Sequence, residues 1–536
     1  MSKETHTKEQ KGARRRAWLP VLLIVALLGG VAAWVFANYT LIDGRLFRKG
    51  SDVDLSGAAL DVERYEELSE QHPDSRIVWD IPIGDGRYDS RSESIVIGDF
   101  SVDELDKFKL FENLKTVDGS RSHSYEALSA LRQALPGCAV TWVVPLSDAE
   151  SYPDDATEAA VTGVSSYAAL RERLPYLPFL QTVDLRDASF TGETEAEALA
   201  AEFPEITFYR KVTVCGQTLD NTVTSLSFPN LDKDRLDELT AAGKSFLAVG
   251  QIDLGDTLYD ADAILALREA YHGARVLCRL RFYGVETDST AAELDLSGIP
   301  IEDTSEVDKA VGCMADLEKI IMSDCGIPDE EMDALNKKFD DVRVVWTVYI
   351  KGFACRTDAV DFCISRITSH YGQITNDHVA PLQYCTDMVT LDLGHMTFDD
   401  LFFVANMPHL RFLIIGDTLV KDLSPLQNCY ELYYLEMFIT PATDLTPLLD
   451  KTSLKHLNIS YVHPDDYTQV FQMTWLERLW WVSSYLSNDQ MQAVRDALPD
   501  TEVCFFTADG SSVDRGWRYH DSYFEMRDNL GMAYHV

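Results

Sequence analysis

The side chains whose types and spacing suit chemistry point to recognition. Tyr434 and Glu436, His456 and Asn458, and Arg478 and Trp480 form pairs two residues apart, and the pairs recur every 22 residues. Phe412 and Ile414 precede them at the same step, Phe438 lies just beyond the first pair, and Cys504 and Phe506 follow the last. Aromatic rings, a carboxylate, an imidazole, an amide and a guanidinium on one surface can stack on a partner and hydrogen-bond to it. Trp, Tyr and Arg are the usual anchors of such surfaces. A second set is acidic: Asp118, Asp184, Asp253, Asp295 and Asp392 each occupy the middle of a strand-like triplet. A column of carboxylates one strand apart suits Ca²⁺, but no D-x-D-x-D-G loop is present. Short acidic side chains on a solvated face explain them better, so we expect no metal and no cofactor.

Motifs of catalysis are missing. There is no H-E-x-x-H and no G-x-S-x-G. Gly243-Lys244-Ser245 matches the end of a P-loop, yet the position that requires the first glycine is Glu238. The twelve histidines are scattered. A non-catalytic protein is expected.

The elements that position these residues are legible as a repeat. Leu391-Asp392-Leu393, Leu413-Ile414-Ile415, Leu435-Glu436-Met437, Leu457-Asn458-Ile459 and Leu479-Trp480-Trp481 follow one another at 22 residues. Between them Asp422-Leu423-Ser424-Pro425-Leu426 recurs as Asp444-Leu445-Thr446-Pro447-Leu448. A period in the twenties with an L-x-L core is the mark of a leucine-rich repeat. In each strand the two outer apolar residues face inward, so the middle and flanking positions face the concave side. That places Phe412, Tyr434, Glu436, Phe438, His456, Asn458, Arg478, Trp480 and Phe506 on one candidate ligand-binding face. The competing expectation is that the terminal segment or an insertion folds over these side chains and buries them.

Upstream the repeats lengthen. Triplets such as Ile95-Val96-Ile97, Val117-Asp118-Gly119 and Val140-Thr141-Trp142 step by 22 and 23 residues. Aromatic positions Trp79, Trp142 and Phe208 overlay a longer period, which predicts blocks of about three repeats with a hairpin closing each block. Ser101-Val102-Asp103-Glu104 and Ser487-Asn488-Asp489-Gln490 match the capping box, and the longer repeats are expected to carry α-helices on the convex side.

The chain of 536 residues is too long for one ordinary core, and its 46% apolar content is ample for folding. Its formal net charge of −40 argues against nucleic acid, whose phosphates need a basic face. Ten cysteines without a C-x-x-C pair read as core hydrophobes. Six Lys/Arg lie before residue 17, ahead of an apolar run from Leu19 to Phe36. Eighteen residues at about 1.5 Å each cover roughly 27 Å, close to a bilayer's hydrocarbon thickness. The run is longer than a typical signal-peptide core, and the basic flank places the N-terminus in the cytoplasm.

The expected organisation is therefore a cytoplasmic tail (1–16), a transmembrane signal anchor (17–38), a membrane-proximal spacer (39–76) and longer repeats (77–352). An irregular excursion (353–389), regular 22-residue repeats (390–508) and a C-terminal cap over the open end of the array (509–536) complete it. With its L-x-L triplets and D-L-S/T-P-L elements, the chain resembles bacterial membrane-anchored leucine-rich repeat surface proteins with internalin-like repeats. The resemblance rests on residues 390–506 and more loosely on 77–346. It implies an α/β solenoid, a horseshoe with parallel strands on its concave face, here preceded by one transmembrane helix. It also implies a protein or cell-surface ligand as partner, with the repeats extracellular. The alternative is a structural or scaffolding envelope protein without a dedicated ligand.

Overall fold

The computed structural model describes residues 10–42, 44–164, 166–189, 194–364, 373–508, 510–512 and 515–533. A helix, Gln10–Asn38, opens the described chain. Among the described residues no helix is long and apolar enough to cross a membrane; the side chains of residues 10–22, part of the expected anchor, lie outside the description. Two compact units follow from the contacts: residues 1–223 with 245–248, and residues 224–244 with 249–536.

In the first unit, short parallel strands alternate with helices and hairpins. Residues 39–76, expected as a spacer, are already built on the same plan. Tyr39–Ile42 and Arg45–Arg48 form a hairpin, and Val53–Asp54 pairs in parallel with Ile77–Val78 across the helix Val62–Gln71. Two parallel three-stranded sheets come next, through Ser94–Val96, Thr116–Asp118 and Ala139–Thr141, then Glu158–Ala160, Thr182–Asp184 and Thr207–Tyr209. The central residue of each of these six strands is buried, Val117 and Val183 completely.

Five of the described hairpins, in both units, are closed by one device. The backbone N–H of Trp79, Trp142, Arg210, Cys278 and Trp346 donates to a side-chain oxygen of Ser90, Asp154, Asn221, Ser289 and Thr357 respectively, at 2.9–3.3 Å. The backbone N–H of the second residue returns to the carbonyl of the first in every pair. These five polar residues are buried, and the staple satisfies groups that burial would otherwise leave unpaired. Three of the turns, at Cys215-Gly216, Tyr283-Gly284 and Lys351-Gly352, have positive φ at both central residues, the twist that suits a two-residue hairpin.

The second unit continues the plan and then simplifies it. Strands Ser225–Ser227, Gln251–Leu258 and Arg275–Phe282 pair in parallel, and the last of them turns back through Val285–Asp288. Glu293–Asp295, Lys319–Ile321 and Arg343–Val345 form a further three-stranded sheet, closed by the hairpin Thr347–Ile350 with Phe353–Arg356. Seven parallel strands complete the unit: Asp361–Cys363, Thr390–Asp392, Phe412–Ile414, Tyr434–Glu436, His456–Asn458, Arg478–Trp480 and Glu502–Cys504. The expected excursion at 353–389 is therefore corrected in part: Asp361–Cys363 is the first strand of the regular sheet, and residues 365–372 lie outside the described residues.

The D-L-S/T-P-L element has a plain physical role. Asp422 and Asp444 accept the backbone N–H of Ser424 and Thr446 at 2.8 and 2.9 Å and so start a 3₁₀ turn. Pro425 and Pro447 fix φ at its first positions, while Leu426 and Leu448 drop into the core. The acidic column is local chemistry of the same kind. Asp118, Asp184, Asp253, Asp295 and Asp392 each accept the backbone N–H two residues on, at 2.9–3.1 Å, as the chain leaves its strand or, at Asp253, where the register shifts within a longer one. Among the described residues no group of three or more His, Cys, Asp or Glu is placed to hold a metal ion.

Candidate functional site

The seven-stranded sheet brings most of the sequence-predicted face together. Leu413, Leu435, Leu457 and Leu479 point into the solenoid core, so their neighbours along each strand point to the concave side. Parallel register stacks Phe412, Tyr434, His456 and Arg478 in one column, and Ile414, Glu436, Asn458 and Trp480 in the next.

That face is covered: of the two expectations, an open aromatic surface or burial by the terminal segment, the structure has the second. Residues 510–512 and 515–533 fold back across it, with short helices at Arg515–Arg518 and Asp521–Asn529. The segment therefore lies on the concave sheet, where the sequence reading placed it over the open end of the array. Trp517 is fully buried, with its ring 5.2 Å from Tyr434 and 5.5 Å from Trp480 between centroids. Its indole N–H donates to Glu436 Oε1 at 2.7 Å, and the Tyr434 hydroxyl donates to the same oxygen. The Arg478 guanidinium lies over both indoles, 4.6 Å from Trp480 and 4.8 Å from Trp517, and donates to the carbonyls of Gly516 and Trp517 at 2.5 and 3.4 Å. Tyr523, Met526 and Leu530 complete one apolar cluster with Phe412, Ile414, Tyr434, Trp480 and Val482. Their spacing is that of one helix face.

Polar contacts run the length of the segment. Asn458 donates to the Ser512 carbonyl at 2.7 Å, Arg411 to Glu525 at 3.3 Å, and Asn529 to the Thr390 hydroxyl at 3.1 Å. Met532 reaches Cys363 at the first strand, with 3.5 Å between sulfurs. The segment thus first meets the strand of Asn458, and from Gly516 to Met532 it runs from the strand of Arg478 toward the first strand.

Two predicted residues stand apart. Phe438 is buried against Gly416, 5.9 Å from the His395 ring, in the turn beyond the strands. Phe506 is 71% exposed and takes no part in the cluster. Trp517, Tyr523, Met526 and Leu530 were not among the predicted face residues. The legible trace was the helical spacing of the last three, in a segment too short to show it strongly.

Burial sets the electrostatics. It raises the pKa of Glu436 above the usual carboxylate range, against the bonds from Tyr434 and Trp517 that favour the anion. The Tyr434 hydroxyl is pushed well above its ordinary value by burial and then by the Glu436 carboxylate. His456 is pushed down to about 3, by burial first and then by His520, Arg478 and Lys455. Its Nε2 lies 3.0 Å from the Tyr433 hydroxyl, while its buried Nδ1 has no hydrogen-bond partner among the described residues. Together these groups form a seat that holds an indole by its faces and by its N–H.

No protein-family model matches the chain, and no curated protein does. Solved structures similar to parts of it include internalin C2 of Listeria monocytogenes, at 18% identity over 27% of this chain and 73% of that one, with a TM-score of 0.21. An internalin F of the same organism matches at 15% identity over 71% of this chain and 88% of its own, with a TM-score of 0.22. A leucine-rich repeat protein of Leptospira interrogans matches at 15% identity over 62% and 91%, with a TM-score of 0.23. The leucine-rich repeat solenoid is carried by the chain's own strand ladder.

Proposed function

We propose that the chain is a non-catalytic recognition protein whose seven-stranded sheet takes a polypeptide on its concave face. One observation carries this reading: the sheet already seats a polypeptide segment, through an indole held by Glu436, Tyr434, Trp480 and Arg478. A buried aromatic anchor with a charged partner, surrounded by polar contacts, is how recognition surfaces concentrate their affinity. We further propose a bacterial cell-surface setting. Residues 17–38 would anchor the chain in the membrane with the basic tail 1–16 in the cytoplasm and the repeats outside. The apolar run Leu19–Phe36 and the six preceding Lys/Arg support that orientation.

A structural role is the second reading, and the full burial of Trp517 under the chain's own sheet favours it. Binding separates the two. Full-length protein in detergent is assayed against wall fractions and a panel of purified surface proteins, beside a Trp517→Ala variant. Recognition predicts a saturable partner, bound more tightly by the variant because its face is less well covered. Binding by neither protein leaves the scaffold. Orientation is read separately, by protease accessibility of the repeats on intact cells.

A further inference from the structure

Resting on the recognition reading, we infer that the described residues 515–533 are a built-in competitor for the concave face. The external ligand they exclude is a polypeptide of the same chemistry: a tryptophan followed by a short amphipathic helix. The segment follows the last strand, and from Gly516 to Met532 it runs from the strand of Arg478 toward the first strand, at Cys363. Its removal leaves all seven strands, their parallel ladders and the Leu413–Leu479 core in place, since none of these uses a residue beyond Cys504.

The face beneath it differs from a core made to stay dry. Glu436, His456, Asn458 and Arg478 lie there, buried among the aromatics. Charged and polar side chains are seldom fully buried in an interior core, whereas an interaction surface carries them as a rule. The seated segment also acts as a mould of the ligand. An indole N–H meets Glu436, its ring fits between Tyr434 and Trp480 under Arg478, and a carboxylate meets Arg411. An apolar stripe spaced as Tyr523, Met526 and Leu530 covers Phe412 and Ile414. A helix laid into a groove by such anchors is an established mode of peptide recognition.

The test uses the full chain with Trp517→Ala and Met526→Asp together, to unseat the segment, and a fluorescein-labelled synthetic peptide of residues 509–533 as probe. Tryptic cleavage at Arg518 reports unseating, and the thermal transition reports the fold. The expected result is a folded variant cut at Arg518 at least about tenfold faster than the parent. It should bind the peptide at least about tenfold more tightly than the parent does, and bind the Trp517→Ala peptide at least about tenfold more weakly. Loss of the cooperative transition in the variant overturns the inference, because the segment is then part of the core. So does a folded, unseated variant that ignores the peptide. Hydrogen exchange on the unaltered protein is the second measurement. Amides of 521–530 should open well before those of 434–436 and 456–458, and exchange only together with them overturns the inference too. Peptide binding absent while a panel protein still binds would move recognition to another surface, so the two readings fail separately.

Discussion

His456 packs against Tyr433, Tyr434 and His520, with Arg478 and Lys455 as the nearby cations, and its pKa is held down at about 3. Its folded value lies below the ordinary 6.5, so the unfolded chain binds the proton first. The resulting stability is fully present above pH 6.5 and is lost as pH falls through the window toward 3. His520, lowered by burial and then by Arg478, acts in the same direction. Glu436, with its raised pKa, acts in the opposite one: its contribution is present at low pH and fades as pH rises through its folded value. The thermal midpoint is expected to fall by several degrees between pH 7 and pH 4, and His456→Gln should flatten that slope while lowering the neutral-pH value. A second residue-scale expectation concerns backbone strain. Ile439 sits at φ +57° and is half exposed, so it has little packing to offset a left-handed conformation that costs an L-residue about 1–2 kcal/mol. Ile439→Gly should stabilise the protein by about 1 kcal/mol in urea unfolding; a destabilised variant would mean the side chain contributes more than its exposure suggests.

Turns and hairpins carry the next set of consequences. Asp444 accepts from Thr446 N–H and hydroxyl at 2.9 and 2.6 Å and from Gln469 at 2.9 Å, which ties one repeat's turn to the next. Asp444→Ala should cost about 1–2 kcal/mol, as loss of a helix cap does, and Asp444→Asn should recover most of it. Asn221 receives the N–H of Arg210 at 2.9 Å and donates to the carbonyl of Phe208 at 2.8 Å, both buried. Asn221→Ala leaves two orphaned groups and is expected to cost about 2–4 kcal/mol, read as a lower denaturant midpoint with an unchanged slope. These elements differ in how far the sequence reveals them. The strands through Leu391, Leu413, Leu435, Leu457 and Leu479 are legible because the 22-residue step repeats without a gap. The strand at Phe362 is not, since 29 residues separate it from Leu391 and break the phase. The hairpin staple is hidden for another reason: Ser, Asp, Asn and Thr serve equally as acceptors, so the position is kept while the residue type changes. Residues 515–530 escape the pattern because their partners are side chains on distant strands, and no local period records such contacts.

At the scale of the whole molecule, charge and repetition dominate. A net charge of −40 makes the folded chain repel itself. Many of its ion pairs are exposed, such as Lys109–Asp106 and Lys115–Glu93, and pairs of this kind contribute little. Screening should therefore relieve more repulsion than it removes attraction. From about 0.01 M to about 0.15 M salt, where the screening length shrinks from roughly 30 Å to roughly 8 Å, the thermal midpoint is expected to rise. A fall would mean that the ion pairs outweigh the net charge. The stapled hairpins have a consequence of a different sort. Those opening at Lys211, Arg279 and Thr347 stand 68 residues apart each time, and each begins and ends at an equivalent buried polar clasp. A stretch of gene encoding one such block can be copied or lost in frame, and the new junction is one that the chain already makes. Array length then becomes a quantity that recombination adjusts in whole cassettes, with the interior of every cassette left untouched.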